Sequence, residues 1–229
     1  MELYNDDNPI QTQSTSLNSV LTNTFFRMFL GLLASSLTAL FVYNSGMYVN
    51  LIMSNAYIGL LIAEVVVVLV FSFAFKKLSP TVVTILFYAY AFLNGFTLSV
   101  IFAIYEIGSI TYAFLGTAAL FGVLAFVGYK TEKDISKFGT MFVIALLVGL
   151  VITIINLFLR SSVLEIALDW IMLAIFLGLT VYDINKIKNM AEAGFCDDEK
   201  LYVYGAMELY LDFINIFLRI LSIFGKRRS

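Results

Sequence analysis

Glu208-Leu-Tyr-Leu-Asp-Phe-Ile-Asn-Ile-Phe-Leu-Arg-Ile-Leu-Ser222 is apolar enough to be a membrane span, yet it carries both signs of charge. Glu208, Asp212, Asn215, Arg219 and Ser222 follow one another at three- and four-residue steps. That spacing stacks them on one face of a helix. Leu209, Phe213, Ile216, Ile220 and Ile223 take the opposite face. A helix built this way cannot turn its polar stripe to lipid. It needs other helices, or water inside the protein, against that face.

The rest of the chain supplies such surroundings. It is 61% hydrophobic and 13% charged over 229 residues, and a soluble domain of this size carries about twice as much charge. The apolar residues come in unbroken blocks and not in the alternation of a transmembrane barrel, so the chain is predicted to be an all-α integral membrane protein. A net charge of −2 gives no reason to expect nucleic acid as a partner; membrane lipid is the expected surrounding. The single cysteine, Cys196, excludes an internal disulfide. The absence of histidine removes histidine acid/base catalysis, Ser-His-Asp triads and histidine metal sites. Any response to pH near neutrality then falls to buried or paired carboxylates.

Residues 1–22 are polar and carry Glu2, Asp6 and Asp7. They lack the basic start and short apolar core of a secretory signal and are expected to form a mobile cytoplasmic tail. Residues 23–229 form one membrane domain. Seven blocks are expected to span: Phe25–Tyr43, Ala56–Phe75, Thr81–Ile104, Ile110–Val127, Phe138–Leu159, Val163–Ile184 and Leu201–Phe224. Each is long enough for a hydrocarbon core of about 30 Å at about 1.5 Å per residue. Lys76 and Lys77 follow the second block, Lys130, Lys133 and Lys137 the fourth, and Lys186, Lys188 and Lys200 the sixth. These loops share one side, so they and the amino terminus are expected in the cytoplasm. The tail Lys226-Arg227-Arg228 falls outside after seven spans, against the charge rule; six spans and a re-entrant last segment would satisfy it. Ala118/Gly122, Ala145/Gly149 and Ala174/Gly178 are small pairs of the kind that let helices approach closely in lipid.

Charges within the blocks are the informative exceptions, because each costs about 2.5–3.5 kcal/mol at a span's centre. Glu64 sits mid-block, either in a pore or protonated and hydrogen-bonded to a neighbouring helix. Asp183 ends the sixth block, with Thr180 and Asp169 on the same face, and Asp212 lies part-way into the seventh, with Glu208 one turn before it. Depth brings Asp183 and Asp212 within reach of each other in the cytoplasmic half. Two carboxylates in one low-dielectric site tend to share a proton, which makes a pH-sensitive pair. Lys76 or Lys77 is a candidate competing cation. Asp183 has the alternative of pairing with Lys186 or Lys188 at the interface. Asn94, Thr153, Asn156 and Arg160 are expected to hydrogen-bond between helices. No nucleotide loop, HExxH, GxSxG or Cys/His metal spacing is present, and Tyr182-Asp183 lacks the Gly-x-Gly-Asp partner of an intramembrane aspartyl protease. No enzyme activity is expected.

Leu-Tyr-Leu-Asp-Phe-Ile-Asn-Ile-Phe-Leu-Arg-Ile-Leu (209–221) resembles the signature of the Bax inhibitor-1 family, and Gly178-Leu-Thr-Val-Tyr-Asp-Ile-Asn-Lys-Ile-Lys-Asn-Met190 resembles its sixth-helix motif. The loop at 128–139 is similar to the bacterial inner-membrane branch. The resemblance covers the chain after the polar tail. It implies seven transmembrane helices with the last in the centre, and a pH-sensitive calcium leak whose paired-aspartate sensor falls on Asp183 and Asp212. Those two carboxylates are then the implied calcium contacts, with calcium as a transported ion and no cofactor. Glu64 matches the family's second-helix glutamate. The arginine that competes for the sensor has no counterpart here beyond Lys76 and Lys77. Glu208, Asn215 and Arg219 line the same interior. Two other functions are implied: modulation of a membrane-anchored ATP-dependent protease, gripped through residues 1–22, and proton-coupled calcium exchange.

Overall fold

In a computed structural model, the chain is described over residues 9–54, 56–133 and 135–228, with side chains from residue 17 onward. Among these residues it forms nine helices: α1 Pro9–Asn44, α2 Met47–Met53, α3 Ala56–Ala74, α4 Pro80–Leu98, α5 Ile101–Ile104, α6 Ile107–Lys130, α7 Lys137–Leu159, α8 Ser162–Glu192 and α9 Asp198–Phe224. Six stretches are long and apolar enough to cross a membrane: Leu17–Asn44, Ala56–Ala74, Pro80–Ile104, Ile107–Lys130, Lys137–Leu159 and Ser162–Glu192. They fall on the first six expected blocks. The seventh expected block is α9, whose 27 residues extend about 40 Å at about 1.5 Å per residue but which is not among these apolar stretches, because its polar stripe lowers its hydropathy.

α9 packs against α1, α4, α6 and α8. Leu201, Val203, Leu209, Tyr210 and Ile216 on it are fully buried. It runs from one end of the bundle to the other. At its start Arg27 of α1 pairs with Glu199 at 3.1 Å, and Lys200 Nζ donates to the Lys76 carbonyl after α3 at 3.1 Å. Past its end, Tyr105 and Arg227 form an antiparallel bridge, with Glu106 N–H on the Lys226 carbonyl at 3.0 Å and Arg228 N–H on the Ile104 carbonyl at 2.8 Å. α3 lies on α4, and α7 on α8. The lipid-facing sides of α3 and α7 are rows of exposed Val, Ile and Leu.

Several expectations change. Residues 9–22 are not a loose tail but the opening turns of α1. Val20, Leu21, Thr24 and Met28 recur at helical spacing and are buried, while Asn18 and Ser19 stay exposed. Met1–Asn8, with Glu2, Asp6 and Asp7, lie outside the described residues. The third block is two helices, α4 and α5, broken at Ser99–Val100, where the Ser99 hydroxyl donates to the Phe96 carbonyl at 2.6 Å. The connection after α1 holds α2, entered through Gly46 at φ 74 and without a buried residue. Of the small pairs, Gly149 meets Met172 and Gly178 meets Phe142, both across the α7–α8 contact, but Gly122 has nothing within 4 Å of a Cβ and faces outward.

Candidate functional site

The sixth- and seventh-block aspartates do meet. Asp183 of α8 and Asp212 of α9 lie within hydrogen-bonding reach of each other, and both are buried. Asp212 Oδ2 has no hydrogen-bond partner in the structure. Thr180, one turn before Asp183, lies beside Asp212 and donates its hydroxyl to the Phe176 carbonyl at 2.9 Å. The pair faces a cavity of about 400 Å³ between α7, α8 and α9, whose polar lining includes Glu208, Asn215, Lys186 and Tyr182. Periodicity places these groups together: Asp183 and Lys186 are three apart on α8, and Glu208, Asp212 and Asn215 share one face of α9.

Lys186 supplies the cation. Its Nζ is 3.8 Å from Asp183 Oδ1 and 3.7 Å from Glu208 Oε1, and it lies over the Tyr204 ring at 5.0 Å. Asp183 thus has Lys186 as its cation, as the alternative to the aspartate pair expected, but it stays buried in the cavity wall. Lys188 turns away and donates to the Thr131 and Tyr129 carbonyls at the end of α6, at 3.0 and 3.3 Å, where Asn185 joins it. A cationic side chain on the last carbonyls of a helix suits the negative end of its dipole. Neither Lys76 nor Lys77 reaches the pair. Lys76 lies over the Phe195 ring at 5.1 Å, and Lys77 is exposed. Both follow the last turn of α3, and α3 leans on α4, away from the cavity.

The other stripe residues separate. Arg219 Nη1 donates to Asp169 Oδ1 of α8 at 2.6 Å, and the Ser222 hydroxyl donates to Asp169 Oδ2 at 2.5 Å. This pair lies at the opposite end of the α8–α9 seam, since Asp169 is 14 residues from Asp183. Asn215 lines the cavity but donates to its own helix, at Leu211 O, 2.8 Å away. Glu64 is hydrogen-bonded to the neighbouring helix, accepting from the Thr97 hydroxyl and from Asn94 Nδ2 at 3.4 Å. Asn94 Oδ1 in turn accepts from the Tyr210 hydroxyl at 3.0 Å, and Ser35 Oγ lies 2.6 Å from the same hydroxyl. Thus α1, α3, α4 and α9 share one buried polar cluster. Asn94 bonds between helices as expected. Thr153 and Asn156 do not: Thr153 donates to Gly149 O of its own helix, and Asn156 accepts from Ser161 N–H to close the α7–α8 turn. Arg160 caps that turn at φ 51.

Among the described residues no group of three or more acidic, cysteine or histidine side chains is arranged to hold a metal ion. Calcium takes six to eight oxygens as a resident ligand, a number the pair with Glu208 reaches only if all three carboxylates give both oxygens.

A helical membrane protein with a sheltered carboxylate pair between two helices is the class that this bundle defines. The chain belongs to the Bax inhibitor-1 family. The family described as "Inhibitor of apoptosis-promoting Bax1" matches residues 17–229. The chain is 38% identical to inner membrane protein YbhL of Escherichia coli K12, over the full length of both chains. It is 35% identical to an uncharacterized protein of Borreliella burgdorferi, covering 93% of this chain and 94% of that one. An uncharacterized membrane protein of Streptococcus pyogenes is 39% identical over 74% of each chain.

Proposed function

We propose that the protein is a cation leak, with calcium as its transported ion, and that the protonation of Asp183 and Asp212 sets the flux. In this reading α9 is the seventh and central crossing, and the amino terminus is cytoplasmic. The observation that carries it is the cavity where two buried carboxylates face each other beside Glu208 and a lysine. The charged and titratable groups around the pair come from each adjoining helix: Lys186 and Tyr182 from α8, and Glu208 and Tyr204 from α9. Their total charge depends on how many protons the set holds, and the titration belongs to the set and not to one residue. Lys186 acts as a tethered competitor: its ammonium sits where an entering cation would seek carboxylate oxygen. It stands in for the arginine that the family resemblance implies, as a point charge without the guanidinium fork.

Calcium flux from reconstituted liposomes across a pH series tests the reading. Asp212→Asn is expected to flatten the pH dependence; a profile identical to that of the unaltered protein overturns the sensor assignment. Lys186→Gln is expected to raise calcium flux at fixed pH, because the carboxylates lose their internal counter-ion. Proton-coupled exchange predicts stoichiometric proton counterflow in the same liposomes, and a leak does not.

A further inference from the structure

Two cavities lie along the α8–α9 seam. The first is the carboxylate cavity, which reaches Phe176 and Asn215. The second, of about 430 Å³, sits near the carboxyl-terminal end of α9 and is lined by Ser162, Glu165, Asp169, Trp170, Ser222 and Arg227 among others. Arg219 is one turn beyond Asn215 and one turn before Ser222 on the same face, so it lies between the two. Met172 and Phe176 of α8 are buried on the way from Asp169 to Asp183. Both Asp169 oxygens are engaged, one by Arg219 and one by Ser222, and Asp169 is buried. The pair is neutral overall, but both carboxylate oxygens are taken, so what it presents to a passing cation along the seam is the guanidinium end of a fixed dipole. Arg219 Nε is buried without a partner, so the guanidinium is held by a single edge.

We propose that Arg219, pinned by Asp169 and Ser222, is the barrier that controls cation passage between the outer cavity and the Asp183–Asp212 cavity. An arginine keeps its charge at every physiological pH. The barrier is thus independent of the proton-sensitive pair, and it opens by breaking the Asp169–Arg219 contact. This inference rests on the cation-leak reading, so its test needs a readout that does not.

The reporter is Asn215→Cys in a Cys196→Ser background, reconstituted and exposed to a cationic, membrane-impermeant thiosulfonate from the side of residue 226. With Arg219 in place, labelling is slow. Arg219→Gln is expected to speed it about tenfold or more, as removal of one charge from a low-dielectric gap would. The paired variant Asp169→Asn/Arg219→Gln keeps neutral hydrogen-bonding groups at both positions, leaves no unpaired buried charge, and is expected to match it. Arg219→Lys retains the charge and is expected to stay slow, which a purely structural role for the guanidinium fork does not predict. In liposomes both variants that lack the arginine charge should raise calcium flux without moving its dependence on pH. Equal labelling rates with and without the charge overturn the barrier. Faster labelling with no calcium flux from any form, the unaltered protein included, retains the barrier and overturns the leak.

Discussion

Tyr210 shows how much one hydroxyl holds in this bundle. It touches Ser35 of α1 and Asn94 of α4, and Asn94 in turn serves Glu64 of α3. Tyr210→Phe leaves a buried amide oxygen unsatisfied at a cost of about 1–3 kcal/mol; a lower thermal midpoint in detergent is the expected result, and an unchanged one counts against this accounting. Cys196 offers a pH test outside the spans. Burial raises its thiol, Lys200 lowers it, and Asp197 and Asp198 raise it, with an upward balance. A thiol raised in this way is mostly protonated at neutral pH and alkylates slowly there. The alkylation rate should climb with an apparent midpoint above the free-thiol value of about 8.5; a midpoint at or below it would be contrary. At this scale the sequence exposes Asp183 and Asp212, because depth and periodicity are properties of single helices. It also offers Lys186 as a partner, three residues along the same helix. It does not expose Asp169–Arg219 or Arg27–Glu199, because a pair between helices depends on how each is rotated about its axis.

Close helix contacts follow from small residues, but only where the rotation brings them inward. A Cβ on Gly95 of α4 would come within 2.7 Å of the Ser35 carbonyl of α1 and 2.5 Å of Thr38 Cβ. Neither neighbour is a flexible chain end, so Gly95→Ala should push α1 from α4 and cost about 1–3 kcal/mol. Gly122→Ala meets nothing within 4 Å and should be neutral or stabilising by up to about 1 kcal/mol through helix propensity alone. Paired thermal denaturation of the two variants measures the difference, and equal effects would contradict the packing described. The contrast also explains what the spacing of small residues hides. Ala118/Gly122 has the same pattern as Ala145/Gly149, but its face turns outward and theirs turns to α8. The extension of α1 before Phe25 was legible in principle, as Leu17, Val20, Leu21 and Thr24 repeat at helical spacing. Their polar neighbours mask it, because the helix leaves the apolar region and needs only a narrow buried stripe.

Across the whole bundle, the last helix packs against α1, α4, α6 and α8 and is more polar than the six stretches apolar enough to cross a membrane. The lysine-rich loops and the tribasic tail occupy opposite ends, and each tail cation meets a partner. Lys226 Nζ is 2.7 Å from Glu106, Arg227 is 4.0 Å from Glu165, and the Arg228 guanidinium donates to the Tyr43 hydroxyl. Glu106 holds the Lys226 ammonium above the usual lysine range, so it remains charged well beyond neutral pH. On the proposed topology, with a cytoplasmic amino terminus and α9 as a seventh crossing, a reporter fused after Ser229 is expected on the outer side. Sending a cation outward opposes the membrane potential by about 2.3 kcal/mol per charge per 100 mV. The receiving acids, one before α6 and one at the start of α8, are made and inserted before the tail is. Order of synthesis then matters: the earlier segments set out a reception for charges that would otherwise be held back. Glu106→Gln with Glu165→Gln should increase the share of chains whose terminal reporter remains inside, and an unchanged share would mean that the tail crosses without their help. On the proposed topology of seven crossings, those contacts at the carboxyl terminus act in time as well as in space, as a ratchet that keeps the last helix from slipping back once it has crossed.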